Sequence, residues 1–228
     1  MEFDLANQSL RDINLALHEV RNANGSGREK FVIRHPKGTH ALAVGLTQPI
    51  DVSIEGHVGY YGAGMNKNAS VHIHGNAGPG LAENMMSGTV RVDGNASQYA
   101  GASGHGGLLI IHGDASSRCG ISMKGIDIVV GGSVGHFSAF MAQSGRLVVC
   151  GDAAHDLGDS IYEAHLYVRG KVARRGSDCI EKPMTPEHEN ALEELLQRAG
   201  FKYKASEFRR FGSERKLYNF TIDNADAL

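Results

Sequence analysis

The chain has no tryptophan, and only three cysteines and five prolines stand among its 228 residues. Cys119, Cys150 and Cys179 share no common spacing, which argues against both a disulfide framework and a zinc-ligand set. A reducing compartment is the simplest expectation. Charge of one sign is lacking too: 23 Lys and Arg against 25 Asp and Glu leave a net charge of −2. Nothing there calls for nucleic acid or an anionic membrane as partner. No apolar run approaches the 18 or so residues of a membrane span. The start, MEFDLANQ, lacks the basic and apolar regions of a signal peptide. A cytoplasmic location is expected. Gly62-Ala63-Gly64 and the run from Gly101 to Gly107 are glycine-rich, but neither opens a helix after a strand in a βαβ unit, as a nucleotide loop must. No nucleophile elbow or zinc-protease motif is present.

What the sequence has in excess is glycine, 30 residues, and seven of them are metered. Gly56, Gly75, Gly94, Gly113, Gly132, Gly151 and Gly170 recur every 19 residues. Four residues before each stand Val52, Val71, Val90, Leu109, Ile128, Leu147 and Leu166. Two before stand Ile54, Ile73, Val92, Ile111, Val130, Val149 and Val168, and two after stand Val58, Ala77, Ala96, Ala115, Val134, Ala153 and Val172. A fixed period near 20 residues marks a solenoid in which each unit is one coil. Apolar residues at alternate positions give a strand with one buried face. The glycine then lets the backbone turn a corner that other residues resist, and Asn76, Asn95, Asp114 or Asp152 follows with turn chemistry. A second short strand is expected beyond it, with Met85, Met123 and Ile161 in one inward column. Gly88, Gly107 and Gly145, with Ala69 and Ala164, suit a further tight corner. The prediction is an all-β fold: a single-stranded, right-handed parallel β-helix of about seven coils, roughly 30 Å long at the usual strand spacing.

Three segments follow. Residues 1–46 form an N-terminal cap, 47–172 the β-helix, and 173–228 a C-terminal helix with a basic, aromatic tail. In the cap, Ser9 is an N-cap for a helix with Leu10, Ile13, Leu17 and Val20 on one face, and Asn24-Gly25-Ser26-Gly27 ends that element. Phe31–Ile33 and Ala41–Leu46 read as entry strands. Near the other end, Thr185, Pro186 and Gly200 punctuate a helix whose apolar face is Leu192, Leu195, Leu196 and Ala199. It is expected to lie on the stack or cap its end. The tail alternates Phe201, Tyr203, Phe208 and Phe211 with Lys202, Lys204, Arg209, Arg210, Arg215 and Lys216. It reads as an arm over its own domain or a strap onto an acidic partner.

Outward columns carry the candidate sites. Glu55, His74, Asp93 and His112 stand one before successive anchors. Carboxylates and imidazoles at strand spacing can in principle hold a metal, but a straight column diverges where a metal needs convergence. It reads better as a ladder of cross-strand pairs. His155, Asp156, Asp159, Glu163 and His165 are polar enough for acid–base work, yet solenoid corners are commonly this polar. No catalytic, cofactor or metal residue is assigned. The column three before each anchor runs Ser53, His72, Arg91, Ile110, Val129, Val148, Tyr167, and it turns apolar from the fourth coil. Outward aliphatics need a cover, either a terminal helix or a partner protein. With Phe137, Phe140 and Met141 in a nearby loop, Ile110, Val129, Val148 and Tyr167 form a candidate interface. Replacing Val129 and Val148 by Asp is then expected to abolish assembly and leave the solenoid folded.

Gly75-Asn76-Ala77-Gly78, Gly94-Asn95-Ala96 and Gly113-Asp114-Ala115 give the repeat its signature. It resembles the family named for its GXGXG motif, the right-handed β-helix at the C-terminus of the glutamate synthase large subunit. Arg11-Asp12-Ile13-Asn14 and Phe208-Arg209-Arg210-Phe211-Gly212, with the length, lean toward the β-helix subunit of three-part N-methylglutamate synthase. The β-helix chain of formylmethanofuran dehydrogenase is similar in fold. The resemblance implies a non-catalytic scaffold subunit with no cofactor of its own. It would hold together an amidotransferase-like subunit and a synthase-like subunit carrying FMN and iron–sulfur clusters. The complex would make N-methylglutamate and ammonia from methylamine and glutamate. A glutamate synthase, a formylmethanofuran-type dehydrogenase and a homo-oligomeric scaffold remain as alternatives, and a secreted-type polysaccharide enzyme is the rival from another class.

Overall fold

The computed structural model describes residues 1–20 and 28–215. In chain order the strands are β1 (Glu2–Asp4), β2 (Lys30–Arg34), β3 (Asp51–Glu55), β4 (Ser70–Ile73), β5 (Thr89–Val92), β6 (Leu108–Ile111), β7 (Lys124–Val130), β8 (Ser144–Val149), β9 (His165–Val168), β10 (Cys179–Lys182) and β11 (Arg209–Ser213). Two α-helices, α1 (Leu10–His18) and α2 (Pro186–Ala199), accompany them among the described residues. Strands β2 to β9 pair in parallel in sequence order, forming a parallel β-solenoid of about seven turns. From β3 onward the register is the repeat itself: Val52 pairs with Val71, Val71 with Val90, Val90 with Leu109, Leu109 with Ile128, Ile128 with Leu147 and Leu147 with Leu166. Both inward columns are buried along the whole stack. The stack begins upstream of residue 47, since β2 pairs with β3 and Thr39 bridges to Val58. Among the described residues no helix is long and apolar enough to cross a membrane.

The anchor glycines align, but for a different reason than a left-handed corner. Apart from Gly56, at φ 138°, none of them has positive φ. What they share is contact with the coil before. A Cβ on Gly75 would stand 2.6 Å from the carbonyl carbon of Gly56, and one on Gly151 2.7 Å from that of Gly132. Successive corners stack backbone on backbone, so hydrogen is the only side chain that fits. The following residue stitches the same edge. Asn76 Oδ1 accepts the N–H of Asn95 at 2.8 Å, Asn95 Oδ1 that of Asp114 at 2.8 Å, Asp114 Oδ1 that of Ser133 at 2.7 Å, and Asp152 Oδ1 that of Lys171 at 2.7 Å.

Beyond the corner each coil bridges to the next in the column Thr39, Val58, Ala77, Ala96, Ala115, Val134, Ala153, Val172, with one further bridge from Leu157 to Arg175. The second strand expected there is absent. Instead alternate residues take left-handed conformations: Tyr61, Ala63 and Met65 at φ 61°, 51° and 54°, and Arg118, Gly120 and Ser122 at 61°, 68° and 53°. Successive alternate amides then reach opposite neighbours. Tyr61 N–H donates to Pro79 C=O in the next coil at 2.8 Å, and Ala63 N–H to Leu42 C=O in the coil before at 3.0 Å. Ala41, Ala43 and Gly45 repeat the pattern, so Ala41–Leu46 is a turn of this kind rather than an entry strand. Met85, Met123 and Ile161 do point inward and are fully buried, with Asn66 and Ala142 in the same column.

Both ends are covered. Ser9 Oγ accepts from Asp12 N–H and starts α1, whose Ile13 and Leu17 are buried. Asn14 of α1 clasps the first coil, donating to Ala41 C=O and accepting from Ala43 N–H, both at 2.9 Å. The loop expected at Asn24–Gly27 lies outside the described residues. At the far end β11 pairs antiparallel with β9, and β10 with β11. The parallel edge is thus closed by a reversed strand.

Gly94→Ala and Gly38→Ala separate close approach from backbone conformation. A Cβ at Gly94 would stand 2.8 Å from the Gly75 carbonyl oxygen, whereas one at Gly38, φ 75°, meets nothing within 4 Å. Thermal or urea unfolding should show a loss of about 1–3 kcal/mol or more for Gly94→Ala and only about 1 kcal/mol for Gly38→Ala. Equal losses would remove the stacked-corner explanation.

Candidate functional site

The outer face of the sheet divides into an apolar half and a polar half. In the apolar half, Leu108, Ile110, Val129, Val148, Cys150 and Tyr167 pack with Leu192, Leu195, Leu196, Ala199, Ala205 and Phe208 in a second core. The candidate interface at Ile110, Val129, Val148 and Tyr167 is therefore corrected: α2 lies flat along the stack and covers it, leaving those four residues at most 1% exposed. Sequence signals for α2 hold in detail. Thr185 is its N-cap, Pro186 opens it, and Gly200 closes it at φ 87°. Arg91 donates to the carbonyl of Ala199 at 3.2 Å, tying the helix end to the sheet. The aromatic tail is an arm over its own domain. Arg169 lies 4.2 Å above the Tyr203 ring and pairs with Glu207 at 2.9 Å, while Phe208 and Phe211 are buried. Lys216 lies outside the described residues. Phe137 and Phe140 meet edge to face at 5.8 Å, half-buried, and Met141 is exposed. Tyr60, Met65 and Met86 are exposed as well, all on the turn side away from the sheet.

The polar half carries a convergent cluster on three neighbouring coils. His72 and His74 lie on and just after β4, their rings 3.9 Å apart, and Asp93 follows β5. His72 Nε2 is 2.7 Å from Asp93 Oδ1, and His74 Nδ1 is 2.9 Å from Asp93 Oδ2. His74 Nε2 in turn meets Ser53 Oγ of β3 at 2.9 Å. Burial works against ionisation of Asp93, but the hydrogen bonds and charges of His72 and His74 outweigh it and hold the carboxyl below its usual range. The rest of the expected ladder is engaged elsewhere: Glu55 pairs with Arg34 at 2.9 Å, and His112 accepts from Arg91 at 2.6 Å beside the Phe201 ring. Burial first, then the Arg91 charge, lowers the His112 pKa. Residue spacing aligns His74 with Asp93 but places His72 in another column, and so misses that alternate outward residues of one strand share a face.

Ser53, His74 and Asp93 have the connectivity of an acyl-transfer triad, but the setting lacks its other half. Ser53 sits mid-strand, flanked in register by Val32 and His72, and the backbone of β3 is taken up in the sheet. With its amides bonded into the sheet, β3 itself offers the hydroxyl no donors for a developing oxyanion.

The five polar residues His155, Asp156, Asp159, Glu163 and His165 do not gather. Asp156 pairs with Arg174 at 2.6 Å, Asp159 accepts from Ser160 and Ser177, and His155 stacks on His136 at 5.5 Å. Glu163 and His165 line an open groove of about 410 Å³ beside α2, with Arg146, Tyr167, Glu187 and His188. A second groove, of about 530 Å³, lies at the C-terminal end among Arg174, Arg175, Cys179, Glu181, Arg209 and Phe211.

No family model matches the chain. It is similar along its whole length to Protein GlxC of Rhizobium meliloti (strain 1021), 62% identical over 225 residues that make up 98% of each chain. The chain belongs to the GlxC family.

The three cysteines and His165 of this GlxC-family chain are held in their neutral forms by burial. Cys119 and Cys150 are buried thiols pushed up to about 12, and Cys179 to about 11, so none is a ready thiolate. His165 is pushed down to about 4, by burial first and then by Arg210, His188, Arg146 and Lys182. It is neutral at pH 7.

Two outcomes follow for this GlxC-family protein. Val148→Asp should bury an unpaired charge beneath α2 and cost about 3 kcal/mol or more. Limited proteolysis should then cut near α2, in place of the clean loss of assembly expected from sequence. For His165 the unfolded chain binds the proton near pH 6.5 and the folded chain only near pH 4. Its contribution is complete above pH 6.5 and lost as pH falls toward 4, at no more than about 1.4 kcal/mol per pH unit. Unfolding curves across that window should be flatter in His165→Phe than in the parent; identical slopes would show that His165 titrates normally.

Proposed function

We propose that this GlxC-family chain is a non-catalytic scaffold subunit of a glutamate-synthase-like complex, with N-methylglutamate synthase the best fit. The observation that carries the reading is the stack itself. Coils bound at every corner and along a continuous sheet resist bending, while the reactive side chains are buried, ion-paired or without stabilising donors. The GXGXG signature at the stacked corners supports the family resemblance. In such a complex an amidotransferase-like subunit and a synthase-like subunit with FMN and iron–sulfur clusters would supply the chemistry, on methylamine and glutamate. With the aliphatic column covered by α2, their contacts fall to the exposed apolar residues of the turn side, Tyr60, Met65, Met86 and Met141, and to Phe137 and Phe140.

Tagging the chromosomal copy and purifying the assembly under mild conditions tests this. The expected result is one stoichiometric complex containing both partner types, with flavin and iron–sulfur absorbance, whose N-methylglutamate synthesis stops when this chain is stripped away. Recovery with a molybdenum or tungsten enzyme, or as a homo-oligomer alone, would refute it.

A further inference from the structure

We propose that His72, His74 and Asp93 form a binding site for a divalent first-row transition-metal ion such as zinc or cobalt. One nitrogen from each imidazole and one carboxylate oxygen already lie within 4.8 Å of one another. Ligand atoms around a four-coordinate ion with bonds of 2.0–2.1 Å stand about 3.3 Å apart. His72 Nε2 lies 2.7 Å from Asp93 Oδ1 and His74 Nδ1 2.9 Å from Asp93 Oδ2, so both imidazoles already face one carboxylate, and an ion would take the place of the shared hydrogens as the groups move slightly apart. Small rotations of side chains about 40% exposed suffice for that. The backbone beneath does not move, because β4 and β5 are adjacent rungs of the sheet.

Three features set the cluster apart from an incidental ladder. First, Ser53 Oγ at 2.9 Å engages His74 Nε2, the ring nitrogen that would not face the ion. Such an outer partner fixes the tautomer and ring plane of a metal-bound histidine. Second, the cation two residues before Asp93 turns away: Arg91 is spent on His112 and on the Ala199 carbonyl. That leaves the carboxylate to the two imidazoles. Third, the ligand set of two imidazoles and one carboxylate on one face leaves further coordination positions open to water or to a side chain of a partner. The nitrogen ligands favour zinc, cobalt, nickel or iron over magnesium and calcium, which take oxygen.

The inference does not depend on the scaffold reading, and its test is separate from it. Untagged full-length protein, freed of metal with a chelator, is titrated with zinc by calorimetry and with cobalt by visible absorption. One equivalent should bind, with the d–d bands of nitrogen-ligated cobalt. Asp93→Asn, which keeps the shape, and His72→Ala with His74→Ala should each weaken binding by about 100-fold or more, and Ser53→Ala by about tenfold, the effect of losing an outer partner. His105→Ala, an exposed histidine elsewhere, should change nothing, and circular dichroism should show the solenoid intact in every variant. Absence of saturable binding, or an affinity unaltered in Asp93→Asn and the double variant, would overturn the assignment.

Discussion

From β3 to β9 successive coils keep the same contour length, because each lies against its neighbours at strand spacing on all its sides at once. A sheet can tolerate one bulge, and β7 has an irregularity between Lys124 and Asp127. A corner stacked on a corner has no such slack. At Gly75, Gly94, Gly113, Gly132, Gly151 and Gly170 the backbone of the preceding coil occupies the space of a Cβ. The period of 19 residues in the sequence is the trace of that packing. The small bridge residues two positions on, and the Asn and Asp ladder between, are consequences of the same approach.

The same constraint turns columns into environments. A residue at a given place in the coil meets its counterparts above and below, so an outward column is a continuous strip whose character can change along the axis. Here it changes at Arg91. On one side stand Ser53, His72, His74 and Asp93, open to solvent; on the other Ile110, Val129, Val148 and Tyr167 accept α2. Arg91 marks the border by holding both His112 and the C-terminal carbonyl of the helix. The helix is therefore positioned along the stack by a polar clamp at one end and apolar packing over the rest.

Much of this was legible in the residues. The metered glycines, the two inward columns and the capping signals of Thr185, Pro186 and Gly200 fixed the coil, its core and α2. The reason for the glycines was not, since close approach and positive φ leave the same letter in a sequence. The turn limb was also hidden. Tyr61, Ala63, Met65, Phe137 and Ala139 are poor candidates for the left-handed region, and Met85, Met123 and Ile161, sharing one inward column, were consistent with a second strand. Only the amides of both neighbouring coils, bonded alternately up and down, make that conformation favourable. β11 was missed because its pairing partner, β9, is far away in sequence. The convergent His72, His74 and Asp93 cluster was split between two columns for want of a shared-face reading.

A solenoid whose last coil is bare offers a strand edge to any other copy of itself, and stacking would continue without limit. This one is stopped at both ends. At the start, β1 and α1 close the first coil, with Asn14 bonded into the turn of Ala41 and Ala43. At the finish, β11 runs against β9 and β10 against β11, so the edge of the last coil is occupied and the outermost strand is the short β10, which carries Glu181 and Lys182. Charged residues on β10 and β11, with Arg209 near Glu181 and over Phe211, make that edge poorer still for apolar stacking. With both ends blocked and the aliphatic strip under α2, association is directed to the flanks. The proposed scaffold role, holding two different proteins apart, would require this arrangement, since open ends would favour filaments of one chain over a defined complex of several.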